Sequence, residues 1–453
     1  MPTAYTILFL LLILVAAATW IIPAGSYDYV DGVPVAGTYH TVEQNPQGVG
    51  DVLKAAFSGF YDAVDVCIFI LMVGGFLGVV MKTGAVDAGV GNVIRLLGGR
   101  EKWLIPILML LFGLGGTTYG MWEETMAFYP LLIPVFLAAG YDAVVGISVI
   151  LLGAGAGVIA STVNPFATGI AAGFAGVSLG IVLRLLEWVA FEVAAIWFVM
   201  AYAAKVKKNP SKSVVGVGAG KIQVSMDQQV PFTAKRKVIM ALFTLTFLIM
   251  VYAVVPFDEM GLSLPALGWW FPELSALFLV AGVVIGLIDR MSEEELVETY
   301  VAGCADLLGV AFIIGISRGI TVLMNDGAIT DTVLHWGEQA LSGAGAISFT
   351  LLVFALYLPL TILIPSSSGL ATLSIPIVAP LGKFAGVGGD LVVTAFQSAS
   401  GLVNIITPTA AVVMGALALG HVPYDRWVKY VWKLILWFLL LALAFLVAGV
   451  LLG

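Results

Sequence analysis

The chain carries 453 residues, 60% of them hydrophobic and only 11% charged, with a formal net charge of −8 at pH 7. That composition excludes a soluble domain, and the acidic balance argues against a nucleic-acid partner. Apolar runs of about 17 to 25 residues recur from end to end, the length a helix needs to cross roughly 30 Å of hydrocarbon, whereas a β-barrel would show alternating segments of about 10 residues; the expected fold class is an all-α polytopic membrane protein.

Residues 1–57 hold a first span at 7–23 and an acidic outer loop. No basic segment precedes the run, so a retained span is expected rather than a secretory leader ending near AGS. Lys and Arg positions set the orientation, because short basic loops stay cytoplasmic. With Lys82/Arg95/Arg100/Lys102, the cluster from Lys205 to Lys237, Arg290 and Arg426/Lys429/Lys433 inside, 16 of the 20 basic residues are cytoplasmic. Lys54 and Lys383 then lie outside, while Arg184 and Arg318 fall within spans. The protein is expected in the cytoplasmic membrane, N-terminus inside and C-terminus outside.

Residues 58–204 form a first unit: a span at 58–81, an amphipathic surface helix near 85–97, a re-entrant hairpin at 103–139 broken by GGTTYG, a span at 143–175 interrupted by ASTVNPFATG, and a returning span at 181–204. Irregular backbone is tolerated at membrane depth only where protein or a watery cavity satisfies it. A polar cytoplasmic linker, 205–236, divides the chain, and residues 237–299 add connecting spans at 238–256 and 273–289. Residues 300–453 form a second unit: a span at 300–324, a surface helix in the stretch NDGAITDTVLHWGEQA, a hairpin at 346–385 broken by PSSSG, a broken span at 391–420 carrying SASGLVNIITPT, and a last span at 428–451. Cys67 and Cys304 sit in apolar runs as inert thiols, and His40, His335 and His421 are scattered, with no metal or Ser-His-Asp pattern.

The two units match in order. SGFYDAVDV (58–66) lies over AGCADLLGV (302–310), with Gly59 over Gly303 and Asp62 over Asp306. VVMKTGAV matches VLMNDGAI, TTYGMWEET matches SSSGLATLS, and Asn164 matches Asn404. Because the first copy enters from outside and the second from inside, the repeats are inverted, the signature of a secondary transporter whose site lies between them at mid-depth. An ancient duplication in a receptor or membrane enzyme would leave the same repeat, but nothing catalytic accompanies the polar breaks.

Interrupting a helix frees carbonyls on one side and amides on the other, which favour a cation and an anion respectively. The expected substrate-binding set is Thr117, Thr118, Gly120, Glu123, Glu124, Ser161, Thr162, Asn164 and Thr168 from the first unit. The second unit supplies Ser366, Ser367, Ser368, Gly369, Asn404, Thr407 and Thr409, with Ser398 and Ser400 nearby. A coupling sodium ion is expected near Gly116, Thr118, Ser161, Asn164, Ser366 and Asn404, or else a coupling proton. Isolated hydroxyls such as Thr83 and Thr394 are better read as helix glue. Glu123 and Glu124 lie about 100° apart around a helix, so one is expected to face the cavity and bind a cationic group of the substrate. Pairing with Arg184 or Arg318 is the competing reading. Asp62, Asp65, Glu187, Glu192 and Asp306 are expected to be structural or to snorkel.

The stretches GGTTYGMWEETMAFYPLLIPV, LGAGAGVIASTVNPFATGIAAG and IPSSSGLATLSIPIVAPLG resemble the YfcC-like family of the ion transporter superfamily, over nearly the whole chain. The resemblance implies a group that holds arginine/ornithine antiporters beside anaerobic four-carbon dicarboxylate carriers. It also implies a homodimer with an interfacial scaffold domain and an elevator-type transport domain of hairpins and broken helices. Related sodium–dicarboxylate symporters carry Ser-Asn-Thr triplets at the hairpin tips; TTYG and SSSG stand there in this chain. The expected function is exchange of a basic amino acid, with sodium- or proton-coupled dicarboxylate uptake, Arg318 holding a carboxylate, as the alternative. A channel lacks a continuous polar path, an intramembrane enzyme lacks a nucleophile–base pair, and an ATP-driven pump lacks a GxxxxGK[ST] loop.

Overall fold

The computed structural model describes residues 4–86, 88–89, 100–177, 181–216, 231–254, 257 and 264–452. Among them 17 α-helices carry nearly all the regular structure. The expected surface helix at 85–97 and the middle of the linker at 205–236 lie largely outside the described residues.

Helix α1 (Ala4–Ala18) is followed by a loop that folds on itself as two small antiparallel ribbons, β1 (Gly25–Ser26) with β4 (His40–Thr41) and β2 (Tyr29–Val30) with β3 (Val33–Pro34). The inner ribbon turns at Asp31-Gly32, both at positive φ (50° and 78°), the two-residue geometry that Asp-Gly favours. α2 (Val49–Asp62) and α3 (Val64–Lys82) meet at Ala63, whose φ of −123° breaks the helix. The span expected at 58–81 therefore starts at Val64, because the preceding turns belong to an amphipathic helix of their own.

The first hairpin is α4 (Leu104–Thr118), a 3₁₀ segment over Glu123–Phe128, and α5 (Tyr129–Ala138). GGTT stays helical, so the break expected at GGTTYG falls later, at 119–122. The first broken span is α6 (Ala143–Ile159), a π turn at Pro165–Gly169, and α7 (Ile170–Ala175). α8 (Ile181–Lys208) returns. Then come α9 (Ala234–Val254), α10 (Phe271–Asp289), α11 (Glu293–Asp326) and α12 (Thr330–Leu341). The second hairpin is α13 (Ala346–Leu363) and α14 (Ser367–Phe384). α15 (Gly389–Asn404) and α16 (Ala411–Leu419) form the second broken span, and α17 (Tyr424–Leu452) closes the chain. Among the described residues, α3, α9, α10, α11, α13 and α17 are long and apolar enough to cross a membrane.

Two packed groups follow from where the glycines lie. α11 runs against α2 and α3: Gly59 abuts the backbone of Gly315 and Gly319, while Gly303 abuts Gly74 and Gly78. Small residues at such crossings let helix backbones approach in a setting where lipid is as apolar as the side chains. The second group surrounds the broken spans. Every residue of α6 is buried, as is every residue from Leu391 to Asn404 of α15. The discontinuities therefore sit inside protein, where neighbouring helices can satisfy their freed polar groups.

Candidate functional site

Both broken spans and both hairpin tips converge. A Cβ on Gly401 would lie 2.6 Å from Ile159 Cα, so only glycine lets α15 cross the end of α6 there. Beside this crossing, lined by its neighbours Val158 and Ser400, is a cavity of about 140 Å³. Gly120, Glu123, Glu124 and Asn164 line it from the first unit, and Ser366, Ser367, Ser368, Asn404 and Thr409 from the second. Asn164 and Asn404 are 3% and 7% exposed, so both asparagines sit in protein and not against lipid.

Gly120 turns the first tip at φ 78°, and the Asn164 amide occupies the space a side chain there would need. Any other residue would be strained in backbone and would collide. Glu123 and Glu124 belong to the 3₁₀ segment, so they are about 120° apart, not on an α-helix as expected from the sequence. Both still line the cavity. Glu124 is 6% exposed and its Oε2 accepts from the Trp122 backbone N–H at 3.1 Å; Glu123 is half-buried.

The second tip begins with Ser366, which caps α14 by accepting from Gly369 N–H at 3.2 Å and shares a 3.3 Å hydrogen bond with Ser368. Gly369 thus shapes the tip without lining the cavity. The helix N-terminus and three hydroxyls form a surface suited to a carboxylate.

The remaining expected residues hold the breaks together. Thr117 Oγ1 donates to Ala160 O at 2.8 Å, and Thr117 O accepts from Thr162 N at 2.8 Å and Thr162 Oγ1 at 2.9 Å, which clamps the first hairpin to the first broken span. Thr118 Oγ1 donates back to Leu114 O at 2.6 Å, and Gly116 packs on the Ala154 carbonyl. Thr168 Oγ1 lies 3.5 Å from Ser161 O, and the Ser161 hydroxyl is buried without a partner. Thr407 and Thr409 hydroxyls bond each other at 2.9 Å, while Thr409 O accepts from Ser317 of α11 at 2.5 Å. The carbonyls of Ile405 and Ile406, freed by the second break, accept from Trp427 Nε1 at 3.1 Å and Tyr424 OH at 2.7 Å.

The arginines part company. Arg318 lines the cavity, close enough to Glu123 for their charges to attract, and its Nε lies 3.8 Å from Asp62 Oδ2. No ion pair joins either glutamate to an arginine among the described residues. Arg184, the other expected partner, lies near Glu187 and Asp390 instead. Of the two roles expected for Glu187 and Glu192, structural or snorkelling, their 0% and 2% exposure leaves out snorkelling; their carboxylates point into the helix bundle.

Gln397 escaped the sequence reading. It lines the cavity at 1% exposure, its Nε2 donates to Val158 O at 2.6 Å, and its Oε1 is buried without a partner. Because Val158 O can only accept, the amide cannot be flipped, and Oε1 is fixed as an acceptor. One turn on, the Ser400 hydroxyl also lines the cavity without a partner. The signal was there: 397, 400 and 404 follow i, i+3, i+7 on one helix face.

A family model described as DcuC, C4-dicarboxylate anaerobic carrier, matches residues 1–451. A Haemophilus influenzae protein described as uncharacterized is 35% identical over 99% of this chain and 97% of its own length. The Escherichia coli protein named "Putative basic amino acid antiporter YfcC" is 31% identical over 95% of this chain and 92% of its own. Among solved structures, the Alcanivorax borkumensis YdaH transporter is similar at TM-score 0.44 and 15% identity, covering 98% of each chain. Neisseria gonorrhoeae MtrF, of a class of antimetabolite efflux pumps, is similar at TM-score 0.44 and 17% identity, covering 98% of this chain and 94% of its own.

Proposed function

Since the chain belongs to the C4-dicarboxylate anaerobic carrier family and is a multi-pass membrane transporter, not an enzyme, we propose that it is a secondary carrier exchanging a basic amino acid such as arginine or ornithine. The observation that carries this reading is the charge and hydrogen-bond pattern of one cavity: two carboxylates, Glu123 and Glu124, against one guanidinium, Arg318, with Gln397 Oε1 held as an acceptor. A cationic side chain meets Glu123 and Glu124, the amino group meets Gln397 Oε1 and Ser400, and the carboxylate meets the Ser366–Ser368 tip or Arg318. The name of the similar E. coli protein agrees with this assignment.

The coupling ion is sodium or a proton. Ser161 Oγ is an unpartnered hard oxygen of the kind sodium takes, and Ser400 Oγ and Gln397 Oε1, which line the cavity with Asn164, Ser366 and Asn404, would serve sodium only when no substrate amino group holds them. Gly116 and Thr118, by contrast, are occupied with helix contacts. In the proposed cycle the two units are inverted repeats, the hairpins and broken spans move as a transport domain in elevator fashion, and α2, α3, α10 and α11 belong to the scaffold of a homodimer in the cytoplasmic membrane. The reciprocal glycine contacts of Gly59 and Gly303 support the repeat.

A second reading, sodium- or proton-coupled dicarboxylate uptake, is favoured by Arg318 and the serine-lined helix terminus. A thermal-shift screen against arginine, ornithine, lysine, succinate and aspartate, with and without sodium, separates the two. Arginine or ornithine is expected to stabilise the wild type, and Glu123→Gln or Glu124→Gln to weaken that effect. Stabilisation by succinate alone, or unchanged arginine binding in both variants, would overturn the basic-substrate reading.

A further inference from the structure

We propose that Glu192 is a proton-binding site, set apart from the substrate cavity, that links protonation to the movement of the first hairpin. Glu192 lies in the middle of α8 and is 2% exposed; neither carboxylate oxygen makes a well-formed hydrogen bond, and the nearest donor is the neutral Trp188 indole Nε1, which carries no counter-charge. It packs on Gly113 of α4, where a Cβ would meet its carboxylate and, at 3.1 Å, the Trp188 indole Nε1. On the opposite side Gly113 presents its carbonyl to Gly157 of α6, so α4 is wedged between a carboxyl and a helix backbone.

An ionised carboxylate without a counter-charge in such a site is expensive, and the group neutralises instead. Among the described residues, no cation faces Glu192. α4 and α6 carry no titratable side chain. On α8, Trp188 is the polar neighbour, while Glu187 and Arg184 turn toward α15, where Ser398 Oγ donates to Glu187 Oε1 at 2.8 Å and Asp390 lies near Arg184. α17 contributes Tyr430, whose hydroxyl is 3.2 Å from Ser148 Oγ. The packed state therefore holds Glu192 as the neutral acid. Loss of the proton requires water to reach the carboxylate, which requires α4 to lift from it at Gly113, ten residues before the Glu123 that lines the cavity. One proton is taken up on packing and released on lifting, with no other bond changed.

The assignment needs only that the chain is a carrier; the arginine arm of its test alone rests on the proposed substrate. With the full chain in lipid bilayers, infrared absorption across an acid-to-alkaline titration is expected to show a protonated-carboxyl band that Glu192→Gln removes and Glu192→Asp retains. In proteoliposomes, an imposed pH gradient is expected to alter labelled-arginine flux in the wild type and not in Glu192→Gln, while exchange at equal pH survives. A carboxyl band unchanged in Glu192→Gln, or equal pH-gradient dependence in both proteins, would overturn the assignment. A band lost in Glu192→Gln with no arginine flux in the wild type would sustain the proton-binding site and defeat the basic-substrate reading alone, and the same pH-gradient comparison with labelled succinate then decides the link to movement.

Discussion

Gly120 is the residue on which the first half of the cavity turns. A side chain there would be held at φ 78° and would displace the Asn164 amide. Gly120→Ala is predicted to cost about 1–2 kcal/mol from the left-handed backbone alone and more from the displaced asparagine. Thermal unfolding of the purified protein should show a lowered midpoint, and a wild-type midpoint would contradict the tight turn. Gln397 supports the opposite wall. A hydrogen bond to a charged group contributes about 1.5–3 kcal/mol, so Gln397→Leu is predicted to weaken arginine binding about tenfold or more. Titration calorimetry checks this, and unchanged affinity would remove Gln397 from the site. Glu123 and Glu124 could be picked out of the sequence as costly charges in an apolar run. Their placement on a 3₁₀ segment could not, because the shift of the break past GGTT depends on the clamp between Thr117 and Thr162, a contact between residues 45 positions apart.

At the scale of elements, the helices were legible wherever an apolar block had clear polar ends. ASTVNPFATG marks the first break closely, since Pro165 cannot donate a backbone hydrogen bond and Asn164 competes for one. The separate helix α2 was not legible, because its residues 58–62 run without a breaker into the apolar block of α3. The ribbon at YVDGVP was overlooked although Asp-Gly between β-formers signals a hairpin. That ribbon is tied to α12: Asp331, 7% exposed, accepts from Tyr27 N–H at 3.0 Å and from Tyr29 OH at 2.8 Å. Asp331→Ala would leave the buried Tyr27 amide unpaired, at a cost of about 1–3 kcal/mol. Limited proteolysis within residues 19–48 is predicted to quicken in that variant, and an unchanged cleavage rate would mean that the ribbon is held by other contacts.

For the whole molecule, the order of the polar breaks along the chain identified which segments would meet, since helix interruptions in an apolar protein must find partners in one another. Their meeting around Gly401 and Ile159 depends on backbone approach that no pattern of hydrophobicity encodes. In the proposed function, substrate choice follows from the same convergence: carboxylates from one tip, hydroxyls from the other, and a fixed amide acceptor between them. The most direct test loads proteoliposomes with unlabelled arginine, succinate or neither, and follows entry of labelled arginine. Exchange driven by internal arginine or ornithine and absent with internal succinate is the predicted result. Labelled succinate entering in place of arginine would contradict the account.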